Sequence, residues 1–151
     1  MRDISILKGK LVVSIEQAVA APYCSSKLAE VGARVIKVER KEGDFARYYD
    51  TFVKGQSTYF VWLNRGKESL IADLKKNEDI ILIKSIVKNA DIFIQNLLPG
   101  TLKKFGLDSS SLTKLNKKLI TCDISGFGEK GPYVRQRVYD PVIQALSGNR
   151  A

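Results

Sequence analysis

Short apolar runs alternate with segments of helical periodicity along the chain, which has 151 residues. Runs of this length, bounded by turn residues, are typical of buried β-strands. Their alternation with helical segments predicts an α/β fold that has a mostly parallel sheet with helices on both faces. The predicted strands are Leu11–Ile15, Val35–Val38, Ser69–Leu74, Ala90–Gln95 and Leu119–Ser125.

The first two predicted strands enclose a clear helical signal. Pro22 stands where a helix can start, Cys24 and Leu28 share one helical face, and Gly32 is placed to end the helix. A strand, a helix and a strand within about thirty residues make one βαβ unit. The second strand leads into Arg40, at the end of the sheet where open parallel sheets bind ligands. The polar and aromatic stretch after Arg40 has no clear period and is predicted to be a loop.

Two later segments carry their own helix start signals. Asn77 is a suitable N-cap for a helix over Glu78–Lys88, and Asp108 or a following serine can cap a helix that runs to Leu115. The apolar and aromatic segment Ser57–Asn64 fits either a short helix or a buried strand, because its periodicity does not decide between them.

The net charge and the numbers of histidine and cysteine residues limit the kinds of site that this chain can form. The net charge of +9 favours anionic partners, but no lysine cluster resembles the basic arm of a nucleic-acid binder. The sequence has no histidine, which excludes histidine bases and histidine-ligated metals. Two cysteines make neither a disulfide framework nor a zinc site. No apolar run can span a bilayer and the first residues lack a signal-peptide core, so we expect a cytoplasmic protein.

Polar residues follow the carboxyl ends of several predicted strands. Because parallel strands end at the same edge of a sheet, these residues are expected to converge on one rim. Cations and a glycine-rich backbone at that rim suit a phosphorylated ligand, and the alternative is a generic polar rim without a ligand. The glycine-rich loop itself is not a dinucleotide fingerprint, because a proline follows it where a helix would begin. The rim residues are Arg40, Lys75, Asn96 and Ser125–Gly126, with Arg137 and Tyr139 from the loop beyond.

A set of segments, spread in order over nearly the whole chain, matches a known pattern. The segments are Leu7–Gly9, Ala20–Cys24, Val31–Arg40, Gly43–Asp44, Asn64–Lys75, Ala90–Leu107, Ile124–Tyr133 and Tyr139–Gly148. Together they resemble the amino-terminal part of the family III CoA-transferases, the group that includes formyl-CoA transferase and the carnitine and bile-acid CoA-transferases. The related α-methylacyl-CoA racemases share that fold.

The resemblance implies that residues 1–151 form the N-terminal portion of a Rossmann-like large domain, without the family's small domain and C-terminal segment. It implies a homodimer of interlocked chains, acyl-CoA and a small carboxylic acid as substrates, and no permanently bound cofactor. Neither a metal, a membrane nor a nucleic acid is implied as a partner. The family's CoA contacts fall on Val19, Ala20, Arg40, Ala72, Lys75, Asn96, Leu97, Lys104, Arg137, Val138 and Tyr139.

Three positions depart from the family pattern. Val19 stands where formyl-CoA transferase has a glutamine, so this position gives no support to formyl- or oxalyl-specific chemistry. Lys104 replaces an arginine and can meet a phosphate only as a point charge, without the bidentate fork. Leu98 replaces a small or polar residue in the turn that follows the fourth strand.

The resemblance also implies a mechanism of covalent catalysis by a carboxylate. In the family an aspartate attacks the thioester, the released CoA thiolate converts the mixed anhydride into an aspartyl-CoA thioester, and the acceptor acid resolves it. That aspartate lies downstream of the segment matching Tyr139–Gly148, and this chain ends at Ala151. We therefore expect a CoA-binding portion that contains no catalytic nucleophile and is inactive alone.

Two alternative functions stay open at this point. The racemase branch has a histidine where this chain has Tyr139, which favours a transferase over a racemase of 2-methylacyl-CoA. A non-catalytic module that binds nucleotides or nucleic acid is the other alternative, and the aromatic stretch Phe45–Tyr49 is its only sequence signal. Among transferases, the segments around Glu16 and Asn64 resemble members that act on small dicarboxylic acids such as citramalate, itaconate or mesaconate.

Overall fold

The computed structural model describes residues 5–136 and 138–148, which contain a five-stranded sheet of order β3-β2-β1-β4-β5. Every neighbouring pair of strands is parallel. The α/β class and the parallel sheet predicted from the sequence are therefore confirmed. In this order successive strands are added first on one side of β1 and then on the other, so the topological switch point lies between β1 and β4. The strands are β1 (Leu11–Ile15), β2 (Arg34–Glu39), β3 (Lys67–Ile71), β4 (Ile92–Gln95) and β5 (Ile120–Asp123).

Helices connect the strands and follow the last of them. The α-helices are α1 (Ala20–Glu30), α2 (Thr58–Asn64), α3 (Asn77–Val87), α4 (Ser109–Leu115) and α5 (Asp140–Leu146). Two short 3₁₀ helices, Phe45–Tyr48 and Lys103–Phe105, lie in the connections after β2 and β4. Within the described residues, no helix combines the length and the apolarity needed to cross a membrane.

Each face of the sheet packs against a different set of helices. Phe93 of β4 and Ile83 of α3 are fully buried in the cluster that fills one face, together with Leu112 of α4. On the opposite face, Val12 of β1 and Ala21 of α1 belong to a second buried cluster. Helices on both faces of the sheet are thus observed, as the sequence predicts.

The boundaries of α1 agree with the predicted signals. Pro22 lies in the first turn of the helix, where its missing N–H needs no partner. Gly32 follows the helix with a φ of +98°, and a Cβ added there would lie 3.0 Å from Ser5. A side chain would therefore be strained at this turn, so the glycine that ends the helix is required by its backbone.

Several boundaries differ from the prediction, by one or two residues in β2, β4 and β5 and more consequentially in β3 and α3. The third strand is Lys67–Ile71 and not Ser69–Leu74, because its position is fixed by pairing with β2, where Lys67 lies opposite Val35. The N-cap of α3 is Lys76, so Asn77 is the first helical residue and not the cap. The segment Ser57–Asn64, which fits either a helix or a strand by its sequence, contains the helix α2. Ser57 is the N-cap, and its side chain accepts a hydrogen bond from the Phe60 N–H at 3.4 Å.

Candidate functional site

A cavity of about 680 Å³ opens at the carboxyl end of the sheet. Its walls come from the segments that follow β1, β2, β4 and β5, and from the loop that leads to α5. This is the rim at which the sequence predicts a ligand. Most of the surface of the wall is apolar, so the cavity suits a ligand with a long neutral part.

The predicted site residues divide into two groups. Six of them line the cavity: Ala20, Arg40, Asn96, Leu97, Val138 and Tyr139. Four others lie outside its walls: Val19, Ala72, Lys75 and Lys104. Arg137 falls outside the described residues.

The four residues outside the cavity have clear positions. Val19 is the N-cap of α1 and is 37% exposed, whereas Ala72 is buried directly after β3. Lys75 is exposed in the turn before α3, because β3 ends at Ile71 and not at Leu74. Lys104 is exposed in the second 3₁₀ helix, with its ammonium 5.0 Å from the ring centre of Phe105. As CoA contacts, these positions stay predictions.

Arg40 supplies the charge of the cavity. It is the only charged residue among the described residues that line the cavity. Its Nε donates to the carbonyl oxygen of Gly43 at 3.2 Å, and its side chain is 56% exposed, with Glu42 only at 3.9 Å. The guanidinium therefore retains donors for an anionic group, such as a phosphate, that enters the cavity.

Asn96 holds the turn between β1 and α1 against the end of β4. The backbone N–H of Gln17 donates to Asn96 Oδ1 at 2.8 Å, and Asn96 Nδ2 donates to the carbonyl oxygen of Gln17 at 2.8 Å. Both polar atoms of the Asn96 side chain are thus engaged by the protein. The side chain therefore fixes the turn in this part of the cavity wall, and its neighbour Leu97 adds an apolar surface. As CoA contacts, both residues stay predictions.

The first 3₁₀ helix brings aromatic side chains into the wall that sequence analysis assigned only to a loop. The rings of Phe45 and Tyr49 meet edge to face at 5.9 Å. Burial of the Tyr49 phenol, followed by the charge of Asp44, raises its pKa, so the hydroxyl is a neutral donor at physiological pH. The one local signal for this helix is Asp44, whose side chain caps it.

The glycine-rich loop, which includes Gly126 and Gly128, packs closely against the segment that leads to α5. A Cβ added at Gly126 would lie 2.2 Å from a methyl group of Val138, so only glycine fits this contact. Gly128, also in the wall, has a φ of +73°. The loop is therefore part of the cavity, as predicted, and its glycines serve close packing and backbone shape.

A second hollow of about 550 Å³ lies beside the first, beyond β4 and β5. The two share Leu97, Leu98, Pro99, Ser125 and Val134 in their walls, so they lie side by side along the rim. The wall of the second hollow contains two cations and three carboxylates: Lys103, Arg135, Asp108, Asp123 and Glu129. Among the described residues, no group of three or more histidine, cysteine, aspartate or glutamate side chains could hold a metal ion.

Curated proteins of known activity resemble the chain over almost its full length. Succinate–glutarate CoA-transferase from Agrobacterium fabrum is 41% identical over 150 residues, which cover 94% of this chain and 38% of that protein. Acetyl-CoA:oxalate CoA-transferase from Acetobacter aceti is 38% identical over 141 residues, covering 93% and 36%. Succinyl-CoA:glutarate CoA-transferase from Homo sapiens is 34% identical over 150 residues, covering 98% and 34%. The chain thus spans little more than a third of the length of these relatives.

Solved structures share the fold at similar levels of identity. A CAIB/BAIF family protein from Brucella suis superimposes with a TM-score of 0.88 at 40% identity, covering 95% of this chain and 39% of that one. Rv3272 from Mycobacterium tuberculosis gives a TM-score of 0.89 at 32% identity, covering 96% and 40%. The model of one family, CoA-transferase family III, matches residues 7–151. With the sheet, the strand-end cavity and these relatives in agreement, the chain belongs to CoA-transferase family III.

Proposed function

We propose that this chain is the CoA-binding portion of an enzyme that transfers CoA between an acyl-CoA thioester and a carboxylic acid. The observation that carries the proposal is the cavity at the carboxyl end of the sheet, in which Arg40 is the only charged residue among the described wall residues. CoA combines phosphates with a long neutral pantetheine arm. A cavity with one guanidinium and a mostly apolar wall fits that combination.

The proposed roles follow the positions of the residues. Arg40 binds a phosphate of CoA, and the backbone after β4, beginning at Leu97, contacts the neutral arm. Val138 and Tyr139 close the other side of the same cavity. Lys75 and Lys104 are exposed in the connections that follow β3 and β4, and we propose that they bind the remaining phosphates.

The proposed chemistry is covalent catalysis by a carboxylate, in which CoA passes from the donor acid to the acceptor acid through an aspartyl thioester. An aspartate carboxylate attacks the thioester carbonyl, and the CoA thiolate leaves as the mixed anhydride forms. The thiolate then attacks the aspartyl carbonyl and releases the donor acid, giving an aspartyl-CoA thioester. The acceptor carboxylate then attacks the aspartyl thioester carbonyl and expels the CoA thiolate, which leaves a second mixed anhydride. The thiolate attacks the acceptor carbonyl of that anhydride, so the new acyl-CoA forms and the aspartate carboxylate is released. None of the proposed CoA contacts in this chain supplies that nucleophile, so we propose that this chain alone binds CoA without turnover.

The substrate acid is proposed from the relatives. The proteins of Agrobacterium fabrum and Homo sapiens are named for succinate and glutarate, and a relative from Haloarcula hispanica, 39% identical over 146 residues, is named for succinyl-CoA and mesaconate. All of these acids are short dicarboxylates. We propose a short dicarboxylic acid as donor or acceptor here, in agreement with the dicarboxylate members that the sequence resembles.

A racemase of 2-methylacyl-CoA is the alternative enzyme on the same fold. One specific observation disfavours it, because Tyr139, where the racemase branch has a histidine, lies in the cavity wall. A phenol has no basic ring nitrogen, which is the atom by which a histidine side chain accepts a proton in acid–base catalysis. Exchange of the α-proton of a 2-methylacyl-CoA with solvent, without CoA transfer to any acid, would instead favour the racemase.

We further propose that the chain functions in a cytoplasmic homodimer. The support is a surface of exposed aromatic side chains, defined by Tyr23, Tyr48, Phe52, Tyr59 and Trp62. Phe52 is 86% exposed and Tyr48 is 74% exposed. Exposed apolar patches of this kind mark surfaces that other protein segments cover.

The binding proposal is tested by isothermal titration calorimetry of the chain with CoA. Arg40→Glu is expected to weaken CoA binding more than about tenfold, since a charge-assisted contact is replaced by repulsion. Lys41→Glu is the matched control, because this exposed neighbour makes the same charge change without lining the cavity. Equal losses in both variants, or tighter binding of a thymidine oligonucleotide than of CoA at moderate salt, would contradict the proposal. The second result would favour a general anion-binding module.

A further inference from the structure

A row of buried charged side chains lies next to the cavity, on the sheet face that carries α1 and α2. Its members are Glu16 after β1, Lys37 and Glu39 of β2, Asp44 in the loop after β2, and Lys67 at the start of β3. Most are almost fully inaccessible: Glu16 is 2% exposed, Lys37 1%, Glu39 6% and Asp44 2%. The mechanism proposed above uses none of them, and none lines the cavity.

Asp44 is the member of this row that contacts the walls of the cavity. Its Oδ1 accepts the backbone N–H of Ala18 at 3.1 Å and the backbone N–H of Ala46 at 2.9 Å. Its Oδ2 accepts from Lys37 Nζ at 2.6 Å. One carboxylate thus connects the turn after β1 with the first 3₁₀ helix, and both of those segments contribute cavity walls.

The turn at Ala18 has a conformation that needs outside support. Its φ is +63°, which residues with a Cβ rarely adopt. The preceding residue, Gln17, is held by Asn96 on one side, and Ala18 is held by Asp44 on the other. Gln17 and Ala18 both line the cavity. The wall of the site therefore depends on two side chains from opposite sides of the β1–α1 turn.

We propose that Asp44, with Lys37 as its counter-ion, is a positioning residue for the ligand cavity. This inference rests on the proposed CoA binding only for its affinity readout. Asp44 acts through the backbone of Ala18 and Ala46: it fixes the turn that faces the ligand and the helix that carries Phe45 and Tyr49. Lys37 contributes by neutralising the buried carboxylate while Oδ1 stays free for the two N–H groups.

We expect the fold to tolerate removal of the whole ion pair, which makes the inference testable. The attraction between two buried charges often only offsets the cost of desolvating them, so removing both charges together is often neutral. The two backbone acceptor contacts are different, because no apolar side chain can replace Oδ1. Two double variants separate these roles. Asp44→Asn with Lys37→Met removes both charges and keeps the acceptor, whereas Asp44→Ala with Lys37→Met removes both charges and the acceptor.

Hydrogen exchange at the Ala18 amide, followed by NMR, reports the positioning without any ligand. We expect this amide to remain protected in the asparagine double variant and to exchange at least about tenfold faster in the alanine double variant, since its acceptor is gone. The amide of Gln17, which donates to Asn96, is the internal control and should stay protected in both. Equal protection of Ala18 in the two variants would overturn the inference.

Calorimetry with CoA then tests the consequence for the site. The asparagine double variant should bind CoA within about threefold of the original chain, and the alanine double variant about tenfold more weakly, as expected for two lost hydrogen bonds. If the alanine variant does not fold, loss of Ala18 protection in the asparagine variant still contradicts the inference. If the unaltered chain binds no CoA, the proposed function fails, and the exchange comparison alone decides the role of Asp44.

Discussion

The two faces of the sheet bury different kinds of side chain. On the face that carries α3 and α4, the buried side chains are apolar, as at Val13, Phe93 and Ile83. On the face that carries α1 and α2, Val12 and Val35 give way toward the carboxyl end of the strands to buried charges. The charged part of the sheet is the part next to the cavity. We infer that the apolar face provides stability and that the charged face provides the shape of the site.

The buried charged groups on this face are paired with one another. Lys67 Nζ donates to Glu16 Oε1 at 2.8 Å, and Arg47 makes two hydrogen bonds with Glu39, at 2.9 and 3.0 Å. Asn64 Oδ1 accepts from Lys37 at 2.9 Å and from Lys67 at 3.3 Å, so it joins two ion pairs. Such a network tolerates the loss of a whole pair better than the loss of one partner.

The largest effect is expected when one partner of a deeply buried pair is removed. Among the described residues, Lys67→Met leaves the Glu16 carboxylate, 2% exposed, with the Ser25 hydroxyl as its only side-chain donor. The free energy of unfolding should fall by about 3–5 kcal/mol, measured by urea denaturation at pH 7. Adding Glu16→Gln should recover most of the loss. A loss below about 1 kcal/mol in the single variant would show that this face is not energetically coupled.

The apolar face should respond through cavity formation alone. Ile83 is fully buried in the cluster on that face, and Ile83→Ala should lower the free energy of unfolding by about 2–5 kcal/mol. No charge is exposed or left unpaired, so CoA affinity in the remaining folded protein should not change. Calorimetry at a temperature well below the midpoint of unfolding checks this. A tenfold weaker affinity would break the division of roles between the two faces.

A smaller effect with a defined pH dependence is expected at the cap of α4, a helix of the apolar face. Hydrogen bonds from the Ser110 and Ser111 side chains lower the pKa of Asp108 from 3.8 to about 2. The ionised carboxylate therefore stabilises the fold above pH 3.8, and this contribution is lost as the pH falls toward 2. Asp108→Ala should cost about 1 kcal/mol at pH 7. The difference between the two proteins should shrink below pH 4 in urea titrations, and a constant difference would contradict the pKa assignment.

The smallest effect is expected at an exposed ion pair between β2 and β3. Arg34 makes two hydrogen bonds with Glu68, at 2.7 and 2.8 Å, but the side chains are 62% and 54% exposed. Solvent and salt screen such a pair, so Glu68→Gln should leave the urea midpoint almost unchanged. A salt-dependent loss as large as that of Lys67→Met would remove the distinction between buried and exposed pairs.

The sequence predicts the apolar framework well and the charged region poorly, for a physical reason. Buried strands are short apolar runs, so β1, β2 and β4 follow from local pattern. The edge strand β3 contains the exposed residues Glu68 and Ile71, so its bounds depend on pairing with β2 and not on its own apolarity. Local pattern cannot show pairing of this kind.

The buried charges are hidden from sequence analysis in the same way. Lys37 lies between Ile36 and Val38 in a strand, and nothing near it in the sequence shows that Asp44 and Asn64 will reach its ammonium. The family resemblance indicates the rim of the sheet, and Arg40 and Asn96 do lie in the cavity wall. The contacts that it implies do not include Asp44 and Lys37, which support that wall without lining the cavity.

NMR chemical-shift mapping tests most directly whether CoA binds in the strand-end cavity. On titration with CoA, we predict the largest backbone amide shifts at Arg40, across 96–101 after β4 and across 124–128 after β5. Amides of α3, on the apolar face, should remain unchanged and serve as the reference. Shifts confined to the exposed lysines of α4 and its neighbours, or no shifts at millimolar CoA, would contradict the account.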